Sequence, residues 1–178
     1  SPAQQAPAVS TPTAPKHPVA TNQQPPVVTD TAAQQIAVTP EEMLAVNWMV
    51  VLDNSGSMKS NECSGKDTRM VAGGKAIIEF SRKRPSSDNF GLVLFTGSKP
   101  YARVAMPLGR DRDVFEREVQ NARPDFNTPL GPAIEFAEKE LQSQLKLQGG
   151  YGGYRVVVVT DGQWNQGSDP KPIVQKIV

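Results

Sequence analysis

The chain has 178 residues, a formal net charge of +1 and a single cysteine, Cys63. This length is enough for one ordinary domain with additional segments. The near-neutral charge, without a basic stripe, argues against nucleic acid as the main partner. Since no apolar run approaches the roughly 18 residues that a spanning helix needs, we expect no direct membrane insertion. One cysteine also excludes an internal disulfide framework.

Residues 1–40 differ in composition from the rest of the chain. They hold eight of the sixteen prolines and three Gln-Gln pairs. Because such a segment has too little apolar surface to offset the entropy of ordering, we expect a disordered, partly polyproline-like linker or stalk. The alternative is a docking peptide for a proline-reading domain. The chain begins with Ser1, which would fit a processed or shortened chain, and a secreted, periplasmic or cell-surface location is slightly favoured over the cytoplasm.

The apolar run Trp48–Leu52 leads directly into the small polar loop Asp53–Ser57. The run has no alternation of polar and apolar residues, which is typical of a strand covered on both faces in a parallel sheet. Such a strand would deliver an acid and two hydroxyls to the carboxyl edge of the sheet, where open α/β folds bind ligands. Asp53, Ser55 and Ser57 offer only oxygen, which hard cations such as Mg²⁺, Ca²⁺ or Mn²⁺ prefer. A turn that merely closes the strand is the alternative.

The rest of the chain predicts further alternating strands and helices. A short capped turn, Thr39–Glu42, is predicted before the first strand. The later elements are, in chain order, a helix from Thr68 to about Arg84, a strand Phe90–Phe95, an antiparallel edge strand Tyr101–Met106, a helix Arg112–Asn121, an amphipathic helix Leu130–Leu145, a strand Arg155–Thr160 and a helix from Pro170 or Pro172. The segment Gly73–Lys75 is not a phosphate-binding loop, because Arg69 and Ala76 replace the Gly and the Ser or Thr of that motif.

Two more oxygen-bearing residues stand at the ends of predicted elements. Thr128 precedes Pro129, which fits the first position of a helix, so Thr128 is predicted to be the N-cap, and capping alone is the alternative to metal ligation. Asp161 follows the β-prone run, and an ordinary turn through Gly162 is the alternative there. Because the carboxyl ends of neighbouring parallel strands converge, both residues could reach the same point as the Asp53–Ser57 loop.

These three motifs resemble the metal-ion-dependent adhesion site of the von Willebrand factor type A family, also called the integrin I-domain fold. The family's Asp-x-Ser-x-Ser loop matches Asp53–Ser57, its distant threonine matches Thr128, and its aspartate after a hydrophobic strand matches Asp161. The order and approximate spacing of the three fit, and the resemblance covers Asn47–Val178.

The resemblance implies a role for each of these side chains. Ser55, Ser57 and often Thr128 would contact the ion directly, whereas Asp53 and Asp161 would act through water. The ion, Mg²⁺ before Mn²⁺ or Ca²⁺, would keep one position free for an Asp or Glu of a partner protein. The implied function is metal-dependent protein binding, in adhesion or scaffolding.

The resemblance also implies a doubly wound, Rossmann-like α/β sheet over residues 41–178, with helices on both faces and one antiparallel edge strand. A typical member continues beyond the fourth strand, so we expect a sheet of order 3-2-1-4 that is truncated there. The run Val156–Val159 would then be an exposed apolar edge. Such an edge invites self-association or pairing with a complementing segment.

Catalysis is a different class of function, and the sequence argues against it. A nucleophilic Ser55 or Ser57 would need a base, yet the only histidine, His17, lies in the predicted linker. Metal-activated water would need an acid or base beside the ion, whereas Asp53 and Asp161 are expected to hold ion-bound water. A part in a chaperone- or chelatase-type assembly is a further alternative, and its ATPase would have to be separate because no nucleotide motif is present.

Overall fold

The structure, a computed structural model, describes residues 38–62 and 65–177. Its elements in chain order are α1 (Pro40–Leu44), β1 (Val46–Leu52), α2 (Arg69–Arg82), β2 (Asn89–Phe95), β3 (Ala102–Gly109), α3 (Arg112–Asn121), α4 (Leu130–Leu147), β4 (Gly153–Val159) and α5 (Pro170–Ile177), with a 3₁₀ turn at Gly56–Lys59. Residues 1–37 of the predicted linker lie outside the described residues. No helix in the described part is both long and apolar enough to cross a membrane.

The strands form a four-stranded sheet in the order β3-β2-β1-β4. Strand β1 is parallel to both β2 and β4, whereas β3 is antiparallel to β2. The predicted order and the predicted antiparallel edge strand are therefore confirmed. In the register of the sheet, Leu52 pairs with Leu94 on one side and with Val159 on the other. The carboxyl ends of the three parallel strands consequently lie side by side at one edge.

Strand β1 is the centre of the hydrophobic core. Its last four residues, Met49 to Leu52, are fully buried. Val50 and Leu52 pack with residues of α2 and α3 on one face of the sheet, and Met49 and Val51 pack with residues of α4 on the other. Because successive side chains of a strand point to opposite faces, a strand covered on both sides needs an apolar residue at every position. This double burial explains why the sequence shows no alternation here.

Strand β4 is less covered than β1. It pairs only with β1 among the described residues, and its positions are half-buried or exposed. Val158, near its carboxyl end, is 39% exposed. The predicted exposed edge is thus present in the part of the chain that the structure describes.

Buried amide side chains cross-link the amino-terminal end of the sheet. Asn47 and Gln148 are both fully buried. Asn47 Nδ2 donates to Gln148 Oε1 at 2.7 Å, and Asn47 Oδ1 accepts from Asn89 Nδ2 at 2.8 Å. Gln148 Nε2 donates in turn to the carbonyl oxygens of Glu42 and Ala45. This network joins β1, β2, the end of α4 and the end of α1, and it leaves these buried amides satisfied.

The amide network predicts an unequal response to two similar substitutions in the same region. Gln148→Met removes both hydrogen-bonding ends of a fully buried side chain, so we expect the free energy of unfolding to fall by about 2 kcal/mol. Gln142→Met, on the exposed surface of α4, should change it by no more than about 0.5 kcal/mol. Urea denaturation followed by circular dichroism measures both, and equal effects would contradict the network's role.

Candidate metal site at the carboxyl edge of the sheet

Asp53 is the first residue after β1 and is fully buried. Its backbone N–H donates to the Val159 carbonyl oxygen at 2.8 Å. Its carboxylate accepts hydrogen bonds from Ser55 N at 2.8 Å and from Thr160 Oγ1 at 2.6 Å. No ion pair of the described residues includes Asp53. A buried carboxylate that meets only neutral donors is favourably placed for a cation, because burying an unpaired charge is costly.

A line of hydrogen bonds connects the Asp53 loop to the end of β4. Ser55 Oγ and Ser57 Oγ are 3.0 Å apart, and Ser57 Oγ donates to Asp161 Oδ1 at 2.9 Å. Because Ser57 has a single hydroxyl hydrogen and uses it toward Asp161, Ser55 is the donor in the contact between the serines. Four of the five predicted site residues therefore lie in one hydrogen-bonded group.

Asn54 ties this loop to the neighbouring segments. Its Oδ1 accepts from the backbone N–H of Phe95 at 2.7 Å, and its Nδ2 donates to the carbonyl oxygen of Arg123 at 3.3 Å. Ser55 forms an isolated parallel bridge with Phe126, whose carbonyl oxygen accepts from Gly56 N at 2.8 Å. The loop is consequently fixed to the end of β2 and to the segment before α4.

Thr128 occupies a different position from the one predicted. Helix α4 begins at Leu130, and its N-cap is Pro129, with a non-helical ψ of 62° and no side-chain cap. The prediction that Thr128 caps this helix is wrong. The Asn165 side chain accepts from Thr128 N at 2.8 Å, and Asn165 N donates to the Thr128 carbonyl at 3.2 Å. These contacts hold the Thr128 backbone in a pairing with the loop after β4, one residue too early to cap α4.

Thr128 nevertheless lies close in the chain to Phe126, the residue that holds the Asp53 loop. It is buried and stands two residues after Phe126, which pairs with Ser55. Among the described residues, no hydrogen bond joins its hydroxyl to the other four predicted site residues. The structure thus links Asp53, Ser55, Ser57 and Asp161 in one line of hydrogen bonds.

Arg69, at the start of α2, is a residue of this site that the sequence analysis missed. Its Nη1 donates to Asp161 Oδ2 at 2.6 Å, although the two residues are 92 positions apart in the chain. Thr160, Asn54 and Asn165 were missed as well. Thr160 and Asn54 adjoin predicted site residues, so a search for donors beside the acids could have found them. No local pattern indicates Arg69 or Asn165, because their contacts arise only when distant loops meet.

The chemistry of the donor set fits a hard divalent cation. Three neutral hydroxyls and two carboxylates supply oxygen only, the ligand type that Mg²⁺, Mn²⁺ and Ca²⁺ take. In the part of the chain that the structure describes, no three His, Cys, Asp or Glu side chains gather into a metal-binding group. A site built here would therefore depend on the serine and threonine hydroxyls in addition to its two acids.

Residues 48–163 match the von Willebrand factor type A domain, a range that extends from β1 to just beyond Asp161. The match covers more than half of the chain, and the chain belongs to this family. The resemblance inferred from the three motifs is therefore confirmed for the family and the fold.

Individual relatives are consistent with this assignment. The uncharacterized protein YfbK of Escherichia coli (strain K12) is 27% identical over 136 residues, which are 75% of this chain and 22% of that protein. The chain thus spans about a fifth of the length of this curated relative. The VWA domain of SpRpn10 superimposes with a TM-score of 0.55 at 20% identity, covering 74% of this chain and 67% of that one. Proximal thread matrix protein 1 from the mussel byssus gives 0.54 at 21% identity, with 75% and 35% covered. These solved structures share the fold.

The contact between Thr160 and Asp53 predicts a measurable loss of stability. Thr160→Val keeps the shape of the side chain but removes the hydroxyl that donates to a buried carboxylate, so the free energy of unfolding should fall by about 1–2 kcal/mol. Thr160→Ser retains the hydroxyl and should stay within about 0.5 kcal/mol of the parent protein. Urea unfolding in the presence of EDTA measures both values. Equal losses for the two variants would contradict a role for the hydroxyl.

Proposed function

We propose that this domain binds a divalent cation at the Asp53 edge of the sheet and uses it to bind an acidic side chain of a partner protein. Membership of the von Willebrand factor type A family places the chain among protein-interaction modules. The observation that carries the proposal is the fully buried Asp53 carboxylate, held by neutral donors only. It adjoins the line of hydroxyls that leads to Asp161.

The proposed ligands explain why a partner's carboxylate would be attracted. Ser55, Ser57 and Thr128 are neutral donors, so they would leave the charge of a directly bound cation largely uncompensated. Asp53 and Asp161 would balance that charge at longer range, through water. Mg²⁺ takes six oxygen ligands, and three hydroxyls leave positions for water or for an incoming carboxylate. The domain would therefore recognise acidity in its partner.

A binding role also agrees better with the residues of the site than a catalytic one does. Ser57 donates its hydroxyl hydrogen to Asp161, and the second oxygen of that carboxylate is paired with Arg69. Hydrolysis by either serine would need a base such as histidine. The chain's only histidine, His17, belongs to the predicted linker. We therefore propose a non-enzymatic adhesion or scaffolding module.

Substitutions within the site should abolish metal binding, whereas a neighbouring acid should be dispensable. Asp53→Ala and Ser55→Ala each remove a proposed donor, so titration with Mn²⁺ or Mg²⁺ by calorimetry should show no saturable binding. Asp125 lies beside the same loop, because its backbone N–H donates to the Asn54 carbonyl oxygen, but its carboxylate is exposed. Asp125→Ala should therefore leave the Mn²⁺ affinity within about twofold of that of the parent protein. Thr128→Ala should weaken binding of a soluble carboxylate, such as acetate, more than it weakens binding of the ion.

The same preparations test whether recognition depends on the ion. Acetate binding, followed by the Mn²⁺-dependent broadening of its carbon resonances, should disappear with EDTA and in Ser55→Ala. Carboxylate binding that survives EDTA would show that recognition lies elsewhere. A normal unfolding transition for each variant is needed, because Asp53 also anchors the loop that carries the serines.

Among the described residues no strand pairs with the outer edge of β4, and this edge supports a second proposal, which concerns association. A strand edge with unpaired backbone groups pairs readily with another strand. In a preparation of this chain alone, a second copy is the available partner, so the sedimentation coefficient should rise with concentration. Val158→Lys places a charge on the edge strand and should reduce the association. Val71→Lys places the same charge on an exposed site of α2 and should not. A cooperatively folded monomer at all concentrations would contradict the proposal.

A further inference from the structure

The ion pair between Arg69 and Asp161 lies inside the candidate metal site. Arg69 Nη1 and Asp161 Oδ2 are 2.6 Å apart, and the exposed fractions of the two side chains are 28% and 12%. Every other ion pair of the described residues has a partner at least 39% exposed. Since Ser57 holds the other oxygen of Asp161, this carboxylate faces a hydroxyl on one side and a full positive charge on the other. Partly buried pairs such as this are screened less by solvent and salt than exposed ones.

The structure holds the Arg69 guanidinium in place from several directions. Thr68 caps α2 by accepting from Val71 N, and Arg69 N donates to the Ser60 carbonyl oxygen at 2.8 Å. Arg69 Nε donates to the Glu62 carbonyl oxygen at 3.4 Å, and Nη2 lies 3.5 Å from the Glu62 carboxylate. The arginine is therefore positioned by Ser60 and Glu62, in the loop that follows the serines.

We propose that Arg69 sets the charge balance of the cation site, an inference that rests on the proposed function. Asp53 and Asp161 together carry two negative charges, and Arg69 returns one positive charge to the same group. Glu62 contributes little to this balance because its side chain is 80% exposed. With Arg69 present, a site that holds a divalent cation keeps a net charge of about +1, whereas without Arg69 it would be about neutral. Arg69 therefore weakens cation binding and strengthens the attraction for a partner's carboxylate.

This charge balance predicts effects of opposite sign on two ligands. Arg69→Met keeps most of the aliphatic stem but removes the charge, so Mn²⁺ should bind about fivefold tighter than to the parent protein. At saturating Mn²⁺, acetate should bind several-fold more weakly to Arg69→Met, as measured by Mn²⁺-dependent broadening of its carbon resonances. Arg69→Lys retains the charge and should bind Mn²⁺ within about twofold of the parent protein.

Lys75→Met is the matched control for a charge lost from α2. Lys75 pairs with Asp67 at 2.6 Å, but its side chain is 68% exposed, and among the ion pairs of the described residues Asp161 pairs with Arg69 and not with Lys75. Its removal should change the Mn²⁺ affinity by less than about twofold. If Lys75→Met tightened Mn²⁺ binding as much as Arg69→Met does, the tighter binding would result from the lower net charge of the whole protein. The specific role of Arg69 would then be overturned.

The outcomes separate this inference from the proposed function. Binding of Mn²⁺ to the parent protein that is lost in Ser55→Ala supports the proposed function, and an unchanged affinity in Arg69→Met would then overturn the inference alone. Binding seen only in Arg69→Met, and lost again when Ser55→Ala is added, supports the inference and shows that the parent site binds too weakly for the proposed function. No binding to any of these variants, each with a normal unfolding transition, overturns both.

Discussion

The carboxyl end of β1 is the constraint on which the rest of the site depends. Asp53 is fully buried there, directly after Leu52, which pairs with Leu94 of β2 and with Val159 of β4. Its backbone is bonded to Val159, and its carboxylate to Ser55 and Thr160. A buried charge in this position destabilises the fold unless hydrogen bonds or an opposite charge stabilise it. The neutral donors of Ser55 and Thr160 are therefore the means by which the fold stabilises that charge.

Buried polar residues at both ends of β1 also determine its register. Asn47, the second residue of the strand, belongs to the amide network, and Asp53 follows the end of the strand within the candidate site. The residues between them are mostly apolar and would tolerate a slip, because Met, Val and Leu are similar in hydrophobicity. A slip of one residue would remove both polar residues from their partners and reverse every side chain between the two faces. The hydrophobic core therefore stabilises the strand, while its polar ends specify the alignment.

Most of the fold and most of the candidate donors could be predicted from local patterns. Double burial of β1 shows directly in the run from Trp48 to Leu52, and the strand order followed from the family resemblance. The error at Thr128 has a physical cause: a threonine before a proline favours a cap, but the backbone pairing with Asn165 holds Thr128 one residue too early. Arg69 was missed for a similar reason, since its partner Asp161 is 92 positions away. Local propensity does not report contacts between distant loops.

The charge of Arg69 changes what a hydroxyl-rich site can do. With Asp53 and Asp161 alone, the proposed site would be about neutral overall once a divalent cation is bound, so that only the ion itself would attract a partner's acid. In the proposed site, the guanidinium of Arg69 beside Asp161 would lower the affinity for the cation and would keep the site positive when the cation is bound. Binding of the ion, which can be present in excess, would become weaker, and binding of the partner, which must be selected, would become stronger. A site whose acids are partly neutralised within the fold is therefore better suited to recognition than to storage of the ion.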